Sequence, residues 1–469
     1  MPLIEPVELR DPRELGHVHF IGVGGAGMSG IAAMYARLGV QVSGSDQAYS
    51  LAFEELRALG ADMYVGHDAA HLGDAATVVV STAVRETNVE LAAARSRGLL
   101  VWHRSAALGA LMLGHDAVAV SGTHGKTTTS AMIAAMLDAL GADPSFVVGS
   151  PVAGFGTSDR LGGGRAFVIE ADESDGSFLQ YPPGIAVVTN VEADHLDNWG
   201  TAAAYARGMA DFARRASTAV VCGDDEGARR LIDSLRAAGT SLLVVGECED
   251  ADVRLSDVDA DGPHARATVT TADGRGPLEL QIPGRHNLAN AAAAYAVAMC
   301  CGFAGDGAGV RRALGQFGGT SRRFETVADV AGVRIVDDYA HHPTEVIATM
   351  RTARAVASGA RLVVCFQPHL FTRTRDFADE LGQALSMADV AVVLDVYPSR
   401  EDPIPGVTGQ LVADAALKAM PGCVTYVPQL VDAPGVLAGL VREGDFVLTM
   451  GAGSVTGVGP RLADLLENR

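Results

Sequence analysis

Lysine is almost missing from this sequence. The 469-residue chain has 36 basic residues, and only Lys126 and Lys418 among them are lysines. Arginine therefore serves wherever a general positive charge is sufficient. A lysine inside a glycine-rich loop indicates a need for a compact ammonium group, which a planar guanidinium does not replace. Lys126 stands in such a loop.

Several other features are absent, and each absence excludes a class of protein. A net charge of -20 argues against a general nucleic-acid or anionic-membrane binder, because both need a basic face. No apolar run reaches the ~18 residues of a transmembrane helix, and the N-terminal residues lack the pattern of a secretory signal. The six cysteines form no CxxC pair and are typical of buried side chains in a reducing compartment. We predict a soluble cytoplasmic protein, monomeric or homodimeric, without a nucleic-acid or membrane partner.

Apolar β-branched runs alternate with alanine-rich stretches along the whole chain. This pattern predicts the α/β class with largely parallel sheets, and the length predicts about three domains at ~100–200 residues each. We place the domains at 1–113, 114–320 and 321–469. A polar stretch at 250–283 alternates like a small antiparallel excursion. Strands are predicted at 17–21, 40–43, 77–81, 117–121, 166–171, 185–190, 333–336, 362–366, 390–396 and 446–450, and helices at 28–38 and 127–140.

The first predicted strand leads into a GxGxxG loop at 22–27, and Asp46 ends the next strand. Glycines let the backbone approach a phosphate, and the following helix supplies N–H groups. An acid at this distance suits a ribose hydroxyl. A nicotinamide dinucleotide and a nucleotide-sugar diphosphate both use this device, so the loop alone predicts only a phosphate-bearing ligand.

A second glycine loop, GTHGKTTT at 122–129, lies between a strand and a helix. It departs from the strict P-loop spacing because Val120 stands where a glycine is required. The chemistry is the same: backbone N–H groups and Lys126 contact the β- and γ-phosphates, and the Thr127 hydroxyl contacts Mg²⁺. Two lysines leave none for a guanine-reading NKxD element, so ATP is favoured over GTP.

Acidic residues follow two strands at 170–175 and 192–197. Open α/β sheets bind ligands at the carboxyl ends of their strands. Most of these acids are expected to be solvated turns, but phosphoryl transfer needs Mg²⁺ near Lys126, held by at least one ligand from each segment. Imidazole is an unusual ligand for Mg²⁺. His195 therefore indicates a second, Mn²⁺-like site or an action through water.

Four later segments place His, Arg, Asp or Asn in loops beside predicted strands or helices. They are 284–290, which is expected to precede an alanine-rich helix, and 321–324, 337–345 and 366–375. A lone His or Arg is usually structural. Clusters directly after strands favour a role in a site.

Taken in order, seven motifs of this chain resemble those of the Mur ligases, the ligases of peptidoglycan precursor synthesis. The motifs are GVGGAGMSGIA, SGTHGKTTT, EADESDGSFL, VVTNVEADHLD, GRHNLANAAAA, DDYAHHPTEV and FQPHLFTRTRDF. The resemblance implies a Rossmann-like UDP-binding domain, a central P-loop ATPase domain and a Rossmann-like C-terminal domain. It further implies that ATP activates the lactyl carboxylate of UDP-N-acetylmuramate as an acyl phosphate, which the amine of L-alanine then attacks.

The resemblance also implies roles for individual residues, with ATP and Mg²⁺ as cofactors. Implied catalytic residues are Lys126, His195, His341 and Arg373. Implied ATP-binding residues are Gly122, Thr123, His124, Gly125, Lys126, Thr127, Thr128, His286, Asn287, Asn290, Arg323 and Asp338, with Thr123 and His124 also near the muramoyl group. Implied substrate-binding residues are Gly24, Gly25, Ala26, Gly27, Met28, Ser29, Ser45, Asp46, Ser81, Thr82, Arg104, Tyr339 and His369. Implied metal ligands are Thr127, Glu173 and His195.

Two departures from the family and three alternatives bear on this interpretation. Related members have Arg-Tyr where this chain has Leu370 and Phe371, and the carbamylated lysine of later ligases has no counterpart. A ligase that joins a recycled tripeptide to the same UDP-sugar shares the main motifs. An NAD-dependent dehydrogenase explains only the first loop, and a non-catalytic nucleotide sensor does not need the third-domain clusters.

Overall fold

The computed structural model describes residues 3–399 and 401–468, with Ala26 described by its backbone only. The chain forms two compact units. The first contains residues 1–256, 268–277 and 289–314, and the second contains 257–267, 278–288 and 315–469. Within the described residues, no helix is long and apolar enough to cross a bilayer.

The first sheet of the first unit has five parallel strands in the order β3-β2-β1-β4-β5. Its central strand is buried along its whole length, as expected for a parallel sheet covered on both faces. The strands are β1 (Val18–Ile21), β2 (Val42–Asp46), β3 (Asp62–Val65), β4 (Thr77–Val80) and β5 (Leu100–His103). The helices are α1 (Ala26–Arg37), α2 (Ala52–Ala58), α3 (Val89–Ser96) and α4 (Arg104–Leu111).

The second sheet of this unit carries the second glycine loop. Seven of its ten strands are β6 (Asp116–Ser121), β7 (Ser145–Val147), β8 (Asp159–Arg160), β9 (Ala166–Glu170), β10 (Ile185–Val188), β11 (Thr218–Cys222) and β12 (Leu242–Gly246). They lie in the order β12-β11-β10-β6-β9-β7-β8, and only β8 is antiparallel to its neighbour. The helices are α5 (Lys126–Ala139), α6 (Leu196–Trp199), α7 (Ala202–Arg215) and α8 (Glu226–Ala237).

The polar stretch at 250–283 forms three strands, β13 (Val253–Asp259), β14 (Ala265–Thr271) and β15 (Gly274–Leu280). The helices α9 (Arg285–Ala298) and α10 (Gly307–Gly315) follow. The expectation that 284–290 precedes the alanine-rich helix is wrong, because α9 already begins at Arg285. Asn287 explains the early start: its N–H donates to Gly284 O over 3.1 Å, and its side-chain amide donates to Pro283 O over 2.7 Å.

The sheet of the second unit has the order β16-β17-β21-β18-β19-β20, in which only β16 is antiparallel. Its strands are β16 (Glu325–Val330), β17 (Val333–Asp338), β18 (Leu362–Phe366), β19 (Val390–Leu394), β20 (Val424–Val427) and β21 (Phe446–Met450). Its helices are α11 (Pro343–Ala357), α12 (Phe371–Leu385), α13 (Gln410–Ala419), α14 (Ala433–Leu440) and α15 (Val458–Glu467). The predicted α/β class with mostly parallel sheets is confirmed.

The largest error in the strand predictions concerns β2, which was expected at 40–43 and spans Val42–Asp46. The hydropathy pattern predicted that the strand ends at residue 43, because the last residues of β2 are small and polar. Ser43 and Ser45 are nevertheless buried, since each hydroxyl has hydrogen-bond partners inside the sheet.

Candidate active site

The loop between β6 and α5 has a backbone that only glycine adopts readily. Gly122 and Gly125 have φ values of +137° and +81°. A side chain at Gly122 would overlap the Thr189 hydroxyl. Asn190 fixes the loop, because its side chain accepts from the His124 N–H at 2.8 Å and donates to the His124 carbonyl at 3.0 Å. The loop therefore leads into α5 in one conformation, with the helix N-terminus available to an anion.

Lys126 is the first residue of α5, and its ammonium group is held on several sides. Nζ donates to the carbonyls of Gly122 at 2.7 Å and Thr123 at 3.2 Å, and lies 2.9 Å from Glu173 Oε2. Burial alone would lower the pKa of Lys126, but the nearby carboxylates, first Glu173 and then Asp172, raise it above its ordinary value. The lysine is therefore charged at neutral pH.

Thr127 and Glu170 border one small space beside this lysine. The Gly149 N–H donates to Glu170 Oε2 at 2.7 Å. A Cβ placed on Gly149 would lie 2.5 Å from that oxygen and 3.0 Å from Thr127 Oγ1. Glu170 ends β9, where it pairs with Val120 of β6. A hydroxyl and a carboxylate in this arrangement are the oxygen donors that Mg²⁺ prefers.

Glu173, the carboxylate selected from the sequence as a metal ligand, lies in a different environment. It is completely buried, and its oxygens face Lys126. Its backbone carbonyl accepts a hydrogen bond from the indole N–H of Trp199 at 2.9 Å, which anchors the turn. The sequence signal that distinguishes the two acids is position, since Glu170 is the last residue of its strand and Glu173 lies in the following turn. The assignment of Glu173 to a metal stays a prediction.

His195 lies at the start of α6 with a left-handed backbone, φ +53°. Its Nε2 is 3.9 Å from Glu173 Oε1 and 3.6 Å from Asp194 Oδ2. The structure thus brings His195 to the carboxylate that also holds Lys126. The second acidic segment contributes Glu192, whose carboxylate lies 3.1 Å from Nε2 of His124.

The remaining predicted residues of this loop are largely internal. The Thr123 hydroxyl donates to the Glu192 carbonyl at 2.8 Å and lies 3.0 Å from the Tyr205 hydroxyl. Thr128 is buried in the first turn of α5. Asn290 of α9 reaches the loop, because a Cβ on Gly125 would lie 2.9 Å from its Oδ1.

The first glycine loop opens into a separate cavity of about 810 Å³. Predicted substrate residues that line it are Gly25, Gly27, Met28, Asp46, Ser81 and Arg104. Asp46 Oδ2 accepts a hydrogen bond from the Gly24 N–H at 2.9 Å, which holds the loop against the end of β2. The Arg104 guanidinium lies near Gly27 and 3.9 Å from Asp172 of the first acidic segment. Arg104 therefore connects this cavity with the surroundings of Lys126.

Other predicted substrate residues lie elsewhere. Within the described residues, the cavity lining does not include Gly24, Ser29, Ser45 or Thr82. Ser45 is completely buried behind the cavity, where its hydroxyl donates to Glu90 at 2.5 Å. The side chain of Ala26 lies outside the described residues. Sequence reasoning missed His67, Asn88 and Val89, which do line the cavity, because no motif marks them.

In the second unit, Asp338 is buried at the end of β17 and organises the segments around it. Its carboxylate accepts hydrogen bonds from the N–H groups of Phe324 and Ala340, both at 2.8 Å, and from the Thr349 hydroxyl at 3.1 Å. Burial raises the pKa of Asp338 to about 6, against the opposing effect of the Arg323 guanidinium. Asp338 therefore acts as a structural anchor for the Arg323 loop.

Tyr339 lies between two arginines, with the guanidinium of Arg322 4.7 Å and that of Arg323 4.9 Å from its ring centre. Its ring centre also lies 5.4 Å from that of His341, which is 5.2 Å from that of His369. Burial lowers the pKa of His341 to about 3, so this imidazole is neutral. The structure thus brings together three of the predicted residues from two different motifs.

Among the other predicted residues of this unit, Asn287 and Arg373 are buried, whereas His286 is exposed. Arg373 lies in the first turn of α12 and is 7% exposed. The predicted site segment 321–324 contains Arg322, which donates to the Gly451 carbonyl at 2.7 Å, although no individual role was assigned to it. Sequence reasoning missed Tyr397, which stacks on His369, because it belongs to none of the motifs.

Three family models match consecutive parts of the chain. They describe the Mur ligase catalytic domain at residues 17–116, the Mur ligase middle domain at 120–298 and the Mur ligase glutamate ligase domain at 322–453. The chain is also 56% identical over 473 residues to UDP-N-acetylmuramate–L-alanine ligase of Cutibacterium acnes, with all of both chains covered. This chain belongs to the Mur ligase family. The predicted resemblance is confirmed.

Further comparisons agree with this family. The Kineococcus radiotolerans UDP-N-acetylmuramate–L-alanine ligase is 52% identical, with 97% of each chain covered. A crystal structure of UDP-N-acetylmuramate–alanine ligase from Thermotoga maritima matches with a TM-score of 0.80 and 29% identity, over 96% of this chain and 99% of that one. A murein peptide ligase from Psychrobacter arcticus matches with a TM-score of 0.69 and 26% identity, over 97% and 99%. Mur ligases are ATP-dependent and form peptide bonds, as the Lys126 loop predicts.

Proposed function

We propose that this Mur ligase joins L-alanine to the lactyl carboxylate of UDP-N-acetylmuramate in the cytoplasm, at the cost of one ATP. The products are ADP, phosphate and UDP-N-acetylmuramoyl-L-alanine, a precursor of peptidoglycan. One observation carries this proposal. The loop of Lys126 and the cavity at the first glycine loop lie in the same unit, and Arg104 connects the cavity with the surroundings of Lys126. Similarity to alanine ligases over the full chain supports this choice of substrates.

ATP is proposed to bind at the N-terminus of α5. The backbone N–H groups of residues 125–127 and the ammonium group of Lys126 are the proposed donors for its phosphates. The reaction brings a carboxylate and a triphosphate together, so positive charge at this point stabilises the transition state. Glu173 keeps Lys126 charged and in place, which is a positioning role.

The residues around Lys126 fit a divalent cation, because Thr127 and Glu170 present oxygen donors to one space. We assign Mg²⁺ to these two residues, and His195 to a second position that would suit Mn²⁺ or a water-mediated contact. When bound, the ion would neutralise charge on the phosphates. Glu173 is the alternative carboxylate ligand.

UDP-N-acetylmuramate is proposed to occupy the cavity at the first glycine loop. Its diphosphate would face Gly25 and Gly27 at the start of α1, and its ribose would face Asp46. In the second unit, Arg323, Tyr339, His341, His369 and Arg373 are proposed to supply groups for ATP and the amino acid. The domains are proposed at 1–113, 114–320 and 321–469.

The carboxylate is proposed to attack the γ-phosphate of ATP and form an acyl phosphate with release of ADP. The amine of L-alanine then attacks the acyl carbon, and phosphate leaves from the tetrahedral intermediate. His341 is neutral, so it adds no positive charge to the place where the amine is proposed to attack.

The test is ATP-dependent phosphate release in the presence of UDP-N-acetylmuramate, with L-alanine and the murein tripeptide compared as acceptors. We expect release that requires L-alanine, together with a product whose mass corresponds to the added alanine. Release with the tripeptide alone would contradict the proposal and assign the chain to recycling, a function that the murein peptide ligase similarity represents. Omission of each substrate in turn is the control for uncoupled ATP hydrolysis.

A further inference from the structure

A completely buried carboxylate lies behind the proposed nucleotide-sugar cavity. Glu90 stands in the first turn of α3, where Asn88 caps the helix. Its Oε2 accepts from the Ser45 hydroxyl at 2.5 Å and lies 3.0 Å from Nδ1 of His67. Its Oε1 lies 2.9 Å from Nδ1 of His71. Neither the motifs nor the proposed chemistry accounts for this cluster.

The charge of Glu90 determines which atoms of the cluster donate hydrogen bonds and which accept them. Burial raises the pKa of Glu90, but hydrogen bonds and charge from His19, Ser45 and His71 outweigh it and bring the pKa to about 2. Glu90 is therefore an anion at neutral pH and can only accept hydrogen bonds. His67 Nδ1 lies 3.0 Å from Glu90 Oε2 and equally 3.0 Å from the Ser45 hydroxyl oxygen. Because Ser45 donates its own proton to Glu90, both oxygens accept here, and Nδ1 of His67 carries a proton. In the neutral ring, this leaves Nε2 with a lone pair and makes it an acceptor.

Three described histidines lie near Glu90, and two of them, His67 and His71, approach it to about 3 Å. Of these two, only His67 takes part in the cavity. His67 lines it, together with Asn88 and Val89, whereas His71 stacks on Tyr64 with ring centres 4.3 Å apart. The two residues therefore share a hydrogen-bond acceptor but differ in access to a ligand. His71 is therefore a matched control for His67.

The strand order indicates which part of a nucleotide lies near His67. The glycine loop follows β1, Asp46 ends β2, and His67 follows β3, the edge strand next to β2. The phosphates belong to the first position and the ribose to the second. The third position, one strand farther along, is then the position of the base.

We propose that His67 determines the nucleobase specificity of this cavity, with Nε2 accepting the imide N–H of uracil, and that Glu90 is the positioning residue that fixes the required tautomer. This inference rests on the proposed function, because it assigns the base of the same UDP-sugar. A cytosine ring has no N–H at that position and would present a lone pair to a lone pair. The cavity would thus select uridine nucleotides.

The test uses UDP and its N3-methyl derivative as probes, with the dissociation constants measured by calorimetry on the full-length protein. We expect the unaltered protein to bind N3-methyl-UDP about 10-fold or more weakly than UDP, because the methyl group removes the donor. His67→Ala should bind UDP about 10-fold more weakly and discriminate little between the two probes. His71→Ala should retain the discrimination.

Glu90→Gln and the double variant with His67→Ala test the positioning role. Glu90→Gln should raise KM for the UDP-sugar with kcat and KM for ATP unchanged, and its effect should add nothing to that of His67→Ala, because Glu90 acts through His67. A merely structural role would instead give additive losses in the double variant and would change KM for ATP as well. Ring ¹⁵N shifts of His67 in the unaltered protein, assigned from the signal lost in His67→Ala, should show Nδ1–H whether or not Glu90→Gln folds.

Two results would overturn the inference. One is equal discrimination against N3-methyl-UDP with and without His67, and the other is an Nε2–H tautomer of His67. Failure of the unaltered protein to bind UDP at all would instead contradict the proposed function, so the two failures are distinguishable.

Discussion

Lys126 and Glu173 form an ion pair in which Nζ lies 2.9 Å from one carboxylate oxygen and 3.1 Å from the other. The carboxylate is completely buried, whereas 16% of the lysine side chain is exposed. Removal of one partner from such a pair leaves an unpaired charge in a dry environment. A single substitution therefore tests stability and chemistry together, and the two effects have to be separated.

Lys126→Ala should abolish turnover while leaving UDP-sugar affinity nearly unchanged. Loss of the ammonium group removes stabilisation of the charge that develops on the phosphates, which costs about 10²–10³-fold in kcat or more. Phosphate release measures turnover, and calorimetry with UDP measures affinity. Lys418→Ala is the matched control, because Lys418 is the other lysine of the chain and its side chain is 77% exposed. A large loss of UDP affinity would contradict the assignment.

The double variant Lys126→Ala and Glu173→Gln separates stability from chemistry. Lys126→Ala alone should lower the free energy of unfolding, by less than the ~3–5 kcal/mol of a broken buried ion pair. Burial raises the pKa of Glu173 to about 7 even beside the ammonium group, so the lone carboxyl of the variant takes up a proton. The neutral glutamine should recover most of this loss without recovering turnover. Urea unfolding of the single and double variants makes the comparison. Recovery of activity in the double variant would contradict a direct role of Lys126.

Glu170→Gln should raise the Mg²⁺ concentration that gives half-maximal rate by roughly 10–100-fold. The physical reason is the loss of one anionic oxygen beside Thr127. His195→Ala should also raise the metal requirement, as its position near Glu173 suggests. Glu226→Gln, an exposed acid on α8 in the same unit, is the control. If Glu173→Gln shifts the Mg²⁺ dependence and Glu170→Gln does not, the ligand is Glu173.

Asp338→Ala should lower the free energy of unfolding by about 3 kcal/mol. The substitution leaves two buried N–H groups and the Thr349 hydroxyl without their acceptor, at about 1–3 kcal/mol for each group. Asp329→Ala is the control from the same unit, because its surface ion pair with Arg334 contributes about 1 kcal/mol or less. Equal losses in the two variants, measured by denaturant unfolding, would contradict the anchoring role.

Glu90→Gln should lower the free energy of unfolding at neutral pH but have little effect in acid. The folded pKa of Glu90, about 2, is below its ordinary value of 4.5, so its contribution is fully present above pH 4.5 and declines as the pH falls towards 2. The contribution is about 3 kcal/mol. Urea unfolding at a series of pH values should therefore show the unaltered protein and the variant converging below pH 4.5. A constant difference across this range would contradict the pKa assignment.

The two glycine loops show which parts of the site could be predicted from the sequence. The positions of Lys126 and Thr127 at the start of a helix followed from local spacing, and the structure has them there. The choice of Glu173 over Glu170 rested on the family resemblance, although the predicted strand at 166–171 already placed Glu170 at a strand end and Glu173 in the turn after it. Ser45 was assigned to substrate on the family resemblance. In the folded chain it lies behind the cavity.

The sequence by itself determined the α/β class, the two glycine loops and the family, because strand and helix periodicity, glycine spacing and ordered motifs are local properties. Tertiary structure alone decided which distant side chains meet. Lys126 meets Glu173 because β6 and β9 are neighbours, and His67 meets Glu90 because the end of β3 lies beside the start of α3. Such contacts depend on strand order and on buried polar groups finding partners, and neither leaves a periodic signal in the chain.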